Sequence, residues 1–100
     1  MIPKHTQKHR VALAWYTEEE WEKLRATAAD VNNLEETYDE WVTHARMALR
    51  EAESAGLEVV KVVVHVDELG AWCNENGLAM NGQARARFAA EKGLTLAQEI

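Results

Sequence analysis

The stretch "LEVVKVVVHVDELGAWC", Leu57–Cys73, decides the fold. Residues two apart on a strand share a face. Val60, Val62, Val64 and Val66 therefore line one side without a polar break, as a core-facing strand does. Val59, Lys61, Val63, His65 and Asp67 line the other side, which is mixed and half suited to water. Asp67 is placed to cap a short helix that carries Leu69, Trp72 and Cys73 on one side and ends at Asn76-Gly77.

Upstream, Gly56 is positioned to stop a long helix in a left-handed conformation. Its core face reads Leu34, Tyr38, Trp41, Val42, Ala45, Ala48, Leu49 and Ala52, the clearest helical periodicity in the chain. With Asn33 as cap and an end near Ala55, it spans about 33 Å. Before it, "VALAWYTEEEWEKL" predicts a strand over Val11–Tyr16 and a helix opened by Thr17. Thr17 and Glu20 have capping-box spacing, and Glu18, Glu19 and Glu20 complement the positive end of the helix dipole. Trp21, Leu24, Ala28 and Val31 form its buried side. Downstream, Asn81 caps a last helix that runs to about Lys92, with Ala84 and Phe88 inward.

The expected fold is a small α/β domain of the α+β type, ordered β-α-α-β-α-α, with a two-stranded sheet packed on helices. Two helices between the strands favour antiparallel pairing; a crosswise first helix permits a parallel pair. Residues 1–8 read as a basic arm, 9–93 as a single domain and 94–100 as a tail. One hundred residues support a single hydrophobic core. Two strands leave open edges, and the mixed sheet face calls for a covering partner.

Net charge is −6, unevenly placed: residues 11–56 hold eleven acids against four bases, whereas residues 1–10 hold three bases and no acid. So acidic a body repels nucleic acid and anionic membranes. The single cysteine excludes an intrachain disulfide and a cysteine-cluster zinc motif, and fits a reducing, cytoplasmic location. No apolar run is long enough to cross a membrane or to follow the basic residues as a signal peptide.

Each candidate for chemistry has a structural reading beside it. In an antiparallel register with residue 9 opposite residue 65, His9, His65 and Asp67 would suit a divalent metal. Against this, Asp67 is already accounted for as a cap, and a slip of one residue turns His9 away. Cys73 reads as a small buried apolar residue, since the acids Asp67 and Glu68 oppose thiolate formation. Phosphate binding is disfavoured because acids follow both strands and neither Gly-rich motif is present. The only serine, Ser54, lacks a nucleophile motif. "AWCNENGLAMNGQARARFAAEKG" faintly resembles a helix-turn-helix, but Arg85, Arg87 and Lys92 do not share one face.

These readings point away from catalysis and from any cofactor. They lead to the expectation of a protein-interaction, regulatory or accessory module that binds a protein partner or itself as a homodimer. Its expected interface is Leu13, Trp15, Tyr16, Val59 and Val63. A metal protein or metal-dependent enzyme using His9, His65 and Asp67 is the alternative, and nucleic-acid binding by the last helix pair is the second. A small-molecule ligand is undetermined.

Overall fold

In the computed structural model, which describes the backbone of residues 9–98 and the side chains of residues 9–93, β1 (Arg10–Trp15) and β2 (Glu58–Val63) pair in parallel. The register sets Arg10 beside Glu58 and Trp15 beside Val63. The basic arm and the last two residues lie outside the described residues. Between the strands run α1 (Glu18–Thr27), a 3-10 turn (Val31–Asn33) and α2 (Tyr38–Ser54); α3 (Val66–Glu75) and α4 (Gly82–Gln98) follow.

The parallel direction corrects the preference for an antiparallel pair, and α1 is the reason. It does not run alongside the sheet but packs on α2, α3 and the 3-10 turn. Only α2 returns the chain along the sheet, so β2 starts from the same end as β1. The whole α1–α2 segment is then the long crossover that parallel strands require. Helices cover both faces, as parallel sheets demand. On one face, α4 approaches so closely that a Cβ on Gly93 would lie 3.0 Å from Ala12 Cβ and 3.2 Å from Val62 Cγ2. On the other, Trp41 of α2 meets the Trp15 ring edge-on at 5.1 Å between centroids.

Local signals set the helix ends. Thr17 Oγ accepts the Glu20 N–H, as its spacing predicts. Gly56 and Gly77, both at positive φ, stop α2 and α3. Asn81 Oδ1 accepts the Ala84 N–H at the start of α4. The beginning of α2 differs from expectation. Asn33 falls in the 3-10 turn, and Thr37 is the cap: its hydroxyl accepts the Glu40 N–H and donates to the Glu40 carboxylate. Arg25 donates to the Glu35 carbonyl and fixes the extended segment between. The helix is consequently shorter, about 26 Å. Alpha-helical backbone in α4 continues past Lys92 to Gln98.

The main core lies beyond the ends of the strands, among Tyr16, Trp21, Leu24, Val64, Val66, Leu69, Cys73, Ala84 and Phe88. The valine alternation is realised there: Val62, Val64 and Val66 are buried, whereas Val63 is 46% exposed.

Candidate functional site

The parallel sheet dismantles the metal geometry read from the sequence. His9 precedes β1 and His65 follows β2, so they stand at opposite ends of the sheet. Asp67 does not cap α3; it is 90% exposed and lies 3.8 Å from Lys23 Nζ. His65 is near Glu20 instead, with Nδ1 3.8 Å from its carboxylate. Among the described residues, no three His, Cys, Asp or Glu side chains are grouped to hold a metal. Cys73 is buried, and that burial pushes its thiol above the ordinary value, against nucleophilic use.

The basic residues of the last helix pair are engaged within the chain. Arg85 binds Asp30 through both Nη atoms, at 2.7 and 3.0 Å. Arg87 reaches Glu91 and lies over the Trp72 ring. Lys92 bonds to Glu68. A nucleic-acid face needs such groups free for phosphate.

The interface residues divide. Tyr16 was expected at the surface beside Trp15, but it is only 3% exposed. Tyr16 follows the last residue of β1, and its ring packs between Trp21 and Trp41 in the core beyond the strand end. Trp15 and Leu13 remain half-buried on the α2 side, where Lys61 Nζ sits 4.3 Å over the Trp15 ring. Val59 is half-buried, and Val63 stays exposed at the far strand.

Of the expected interface residues, Leu13 and Tyr16 line a cleft of about 370 Å³ along the outer edge of β1, whereas Trp15, Val59 and Val63 lie outside it. Glu58 donates its N–H to the His9 carbonyl, and Val64 donates to that of Trp15. Odd-numbered residues of β1 therefore face β2, and Ala12 and Ala14 aim both backbone groups outward. Among the described residues, nothing bonds to those outward groups. At the end of the strand, the Tyr38 hydroxyl donates to the Tyr16 carbonyl at 2.9 Å and closes the edge. Trp41, His44 and Ala45 of α2 wall one side of the cleft, while Gly82, Arg85 and Ala86 of α4 wall the other. Trp21, Leu24 and Leu34 form the inner end.

Trp41 organises this inner end. Its ring lies 5.4 Å from those of Tyr16 and Trp21 and 5.6 Å from that of Tyr38. The helical spacing of Trp41 identified it as apolar packing, but no periodicity shows four aromatic partners around it. The Tyr16 hydroxyl and Trp21 Nε1 are both buried without a hydrogen-bond partner among the described residues. Burial pushes the Tyr16 hydroxyl up to about 12, with Arg85 opposing and Asp30 reinforcing the shift. No sequence signal marks such donors, because partnering is decided by distant segments.

No protein family, curated protein or solved structure matches the chain.

Proposed function

We propose that this chain is a small, non-catalytic protein-interaction module that captures an extended segment of a partner polypeptide along the outer edge of β1. The observation that carries this reading is the pair of outward-facing backbone positions at Ala12 and Ala14, lying in an apolar cleft. Unpaired strand edges bind added strands through main-chain hydrogen bonds, and flanking pockets select side chains. Here α2 and α4 flank the edge, which favours one slender strand over a broad sheet. The acidic surface suits a basic partner around that segment. A single, buried thiol suits a reducing compartment such as the cytoplasm.

Titration of the ¹⁵N-labelled chain with a pool of acetylated, carboxamide-terminated tetrapeptides of Val, Leu, Phe and Ala tests the reading. The Ala12 and Ala14 amides should shift and gain protection from hydrogen exchange. Unmoved amides at millimolar peptide would rule it out. Ala14→Pro should abolish binding while sparing the β1–β2 ladder, because the Ala14 N–H points away from β2.

A second reading, self-association, is favoured by Val63, exposed on the strand whose outer edge is also open. Sedimentation velocity across a dilution series tests it, with Val63→Lys expected to shift a dimer to monomer. A monomer at every concentration excludes this mode.

A further inference from the structure

We infer that the groove between α3 and α4 docks an amphipathic, basic helix of a partner protein. The groove shares no lining residue with the cleft on β1, so the inference does not depend on the strand-edge reading. Its volume is about 390 Å³. One wall is the stripe Glu68, Ala71, Trp72 and Glu75 of α3; the other is Phe88, Glu91 and Lys92 of α4. Both stripes advance by three- and four-residue steps. Each wall is therefore a helix ridge, and a third helix can lay its own ridge between the two. The walls are reachable from solvent: Glu68, Ala71, Glu75 and Glu91 are exposed, and Trp72 and Lys92 are half-buried.

Charge selects the partner. Three glutamates stand against one lysine around an apolar strip of Ala71, Trp72 and Phe88. The chain already shows how such a strip holds a cation. Lys92 bonds to Glu68 while its Nζ lies 5.5 Å from the Phe88 ring centroid. On the same helix, Arg87 bonds to Glu91 and lies 5.5 Å over the Trp72 ring. Each cation rests between an aromatic ring and a carboxylate, and both attract it. Glu75, about one helical turn from Trp72, offers the acid of a third such arrangement. Its carboxylate has no hydrogen bond or ion pair among the described residues. A lysine or arginine of the incoming helix supplies that cation, and its apolar side chains cover Ala71 and Trp72. An acidic helix would meet like charges on both walls.

The probe is an acetylated, carboxamide-terminated peptide of leucine and lysine in amphipathic helical spacing, about four turns long. Its control is the same peptide with glutamate in place of every lysine. Titration into the full ¹⁵N-labelled chain at physiological ionic strength screens the general pull of its negative surface. The lysine peptide should shift the Trp72 indole N–H and the Glu75 amide, and bind at least about tenfold more tightly than the glutamate peptide. Ala71→Lys, an exposed change in the middle of the groove, should weaken the lysine peptide by about tenfold or more. Glu75→Gln should weaken it by about threefold, the scale of one exposed ion pair, whereas Glu53→Gln, the same charge change on α2, should leave it unchanged. An unmoved Trp72 indole, equal affinity for the two peptides, or equal weakening by Glu75→Gln and Glu53→Gln overturns the inference. So does a response of the Ala12 and Ala14 amides in place of Trp72, which would put the peptide on the strand edge. If the Trp72 indole shifts on dilution of the chain alone, a second copy fills the groove and the partner helix is overturned.

Discussion

The Glu20 carboxylate, in the first turn of α1, accepts the backbone N–H of Val66, the first residue of α3, at 2.7 Å. One helix thus supplies the cap of another. His65 stands at the cap position of α3 but makes no side-chain cap bond. The acceptor role that Asp67 was expected to fill is taken by a residue far away in sequence. The Val66 N–H, followed by the charges of Lys23 and His65, holds the Glu20 carboxyl below its usual range. Glu20→Ala should lower the melting temperature, with Glu20→Gln intermediate because its amide oxygen still accepts. Hydrogen exchange should show the first turn of α3 losing protection in both.

Asp30 joins the 3-10 turn to α4 through Arg85 and the Gly82 N–H. Both partners of the ion pair are largely buried, with side chains 12% and 18% exposed. Asp30→Ala strands the guanidinium and should cost about 1–3 kcal/mol in urea unfolding.

Acid should weaken the fold through these two carboxylates. The Arg85 hydrogen bond holds Asp30 low, as the Val66 N–H holds Glu20 low. A depressed folded-state value makes a contribution that is fully present above the ordinary carboxylate range, near about 4. It is lost as pH falls through the folded-state values. Urea midpoints should therefore hold steady down to about pH 5 and then fall. The double variant Glu20→Gln, Asp30→Asn should show a flatter decline.

At high pH the sign reverses for Tyr16. Its hydroxyl is raised to about 12 by burial, so the folded state retains a proton that the unfolded chain releases. That stability is present below the ordinary value of about 10 and is lost as pH climbs toward 12, by about 2–3 kcal/mol. Tyr16→Phe removes an oxygen that has no hydrogen-bond partner among the described residues and should abolish this alkaline loss.

Gly93 tests the contact between α4 and the sheet. Alanine in a helix interior usually gains about 1 kcal/mol over glycine. At Gly93 the added carbon would press on Ala12 Cβ and Val62 Cγ2. Gly93→Ala should forfeit that gain, and Gly93→Leu should destabilise by about 1–3 kcal/mol by calorimetry.

Most elements were legible in the sequence because their signals are local. Val62, Val64 and Val66 alternate into the core, Thr17 and Asn81 cap as their spacing requires, and Gly56 ends α2. The strand direction was not legible. It depends on α1 turning away from the sheet, a choice made by its packing on α2 and α3. A strong cap at Thr37 took precedence over Asn33, and an acid from α1 replaced Asp67 at α3. The candidate site was legible only in its parts: Trp15, Tyr16 and Trp41 are prominent in the sequence, but their convergence beside an open strand edge is a tertiary result.

The parallel register has a consequence for how the chain is made. Arg10 and its partner Glu58 are 48 residues apart. At about 5–20 residues per second, synthesis leaves β1 waiting some seconds for the strand that will pair with it. Until then both of its edges are open, and α1 has no α3 to cap. The nascent chain is thus most exposed to mispairing while its first half alone has emerged. A pulse of competing strand peptide during translation would find β1 in the state that folding later narrows to a single edge.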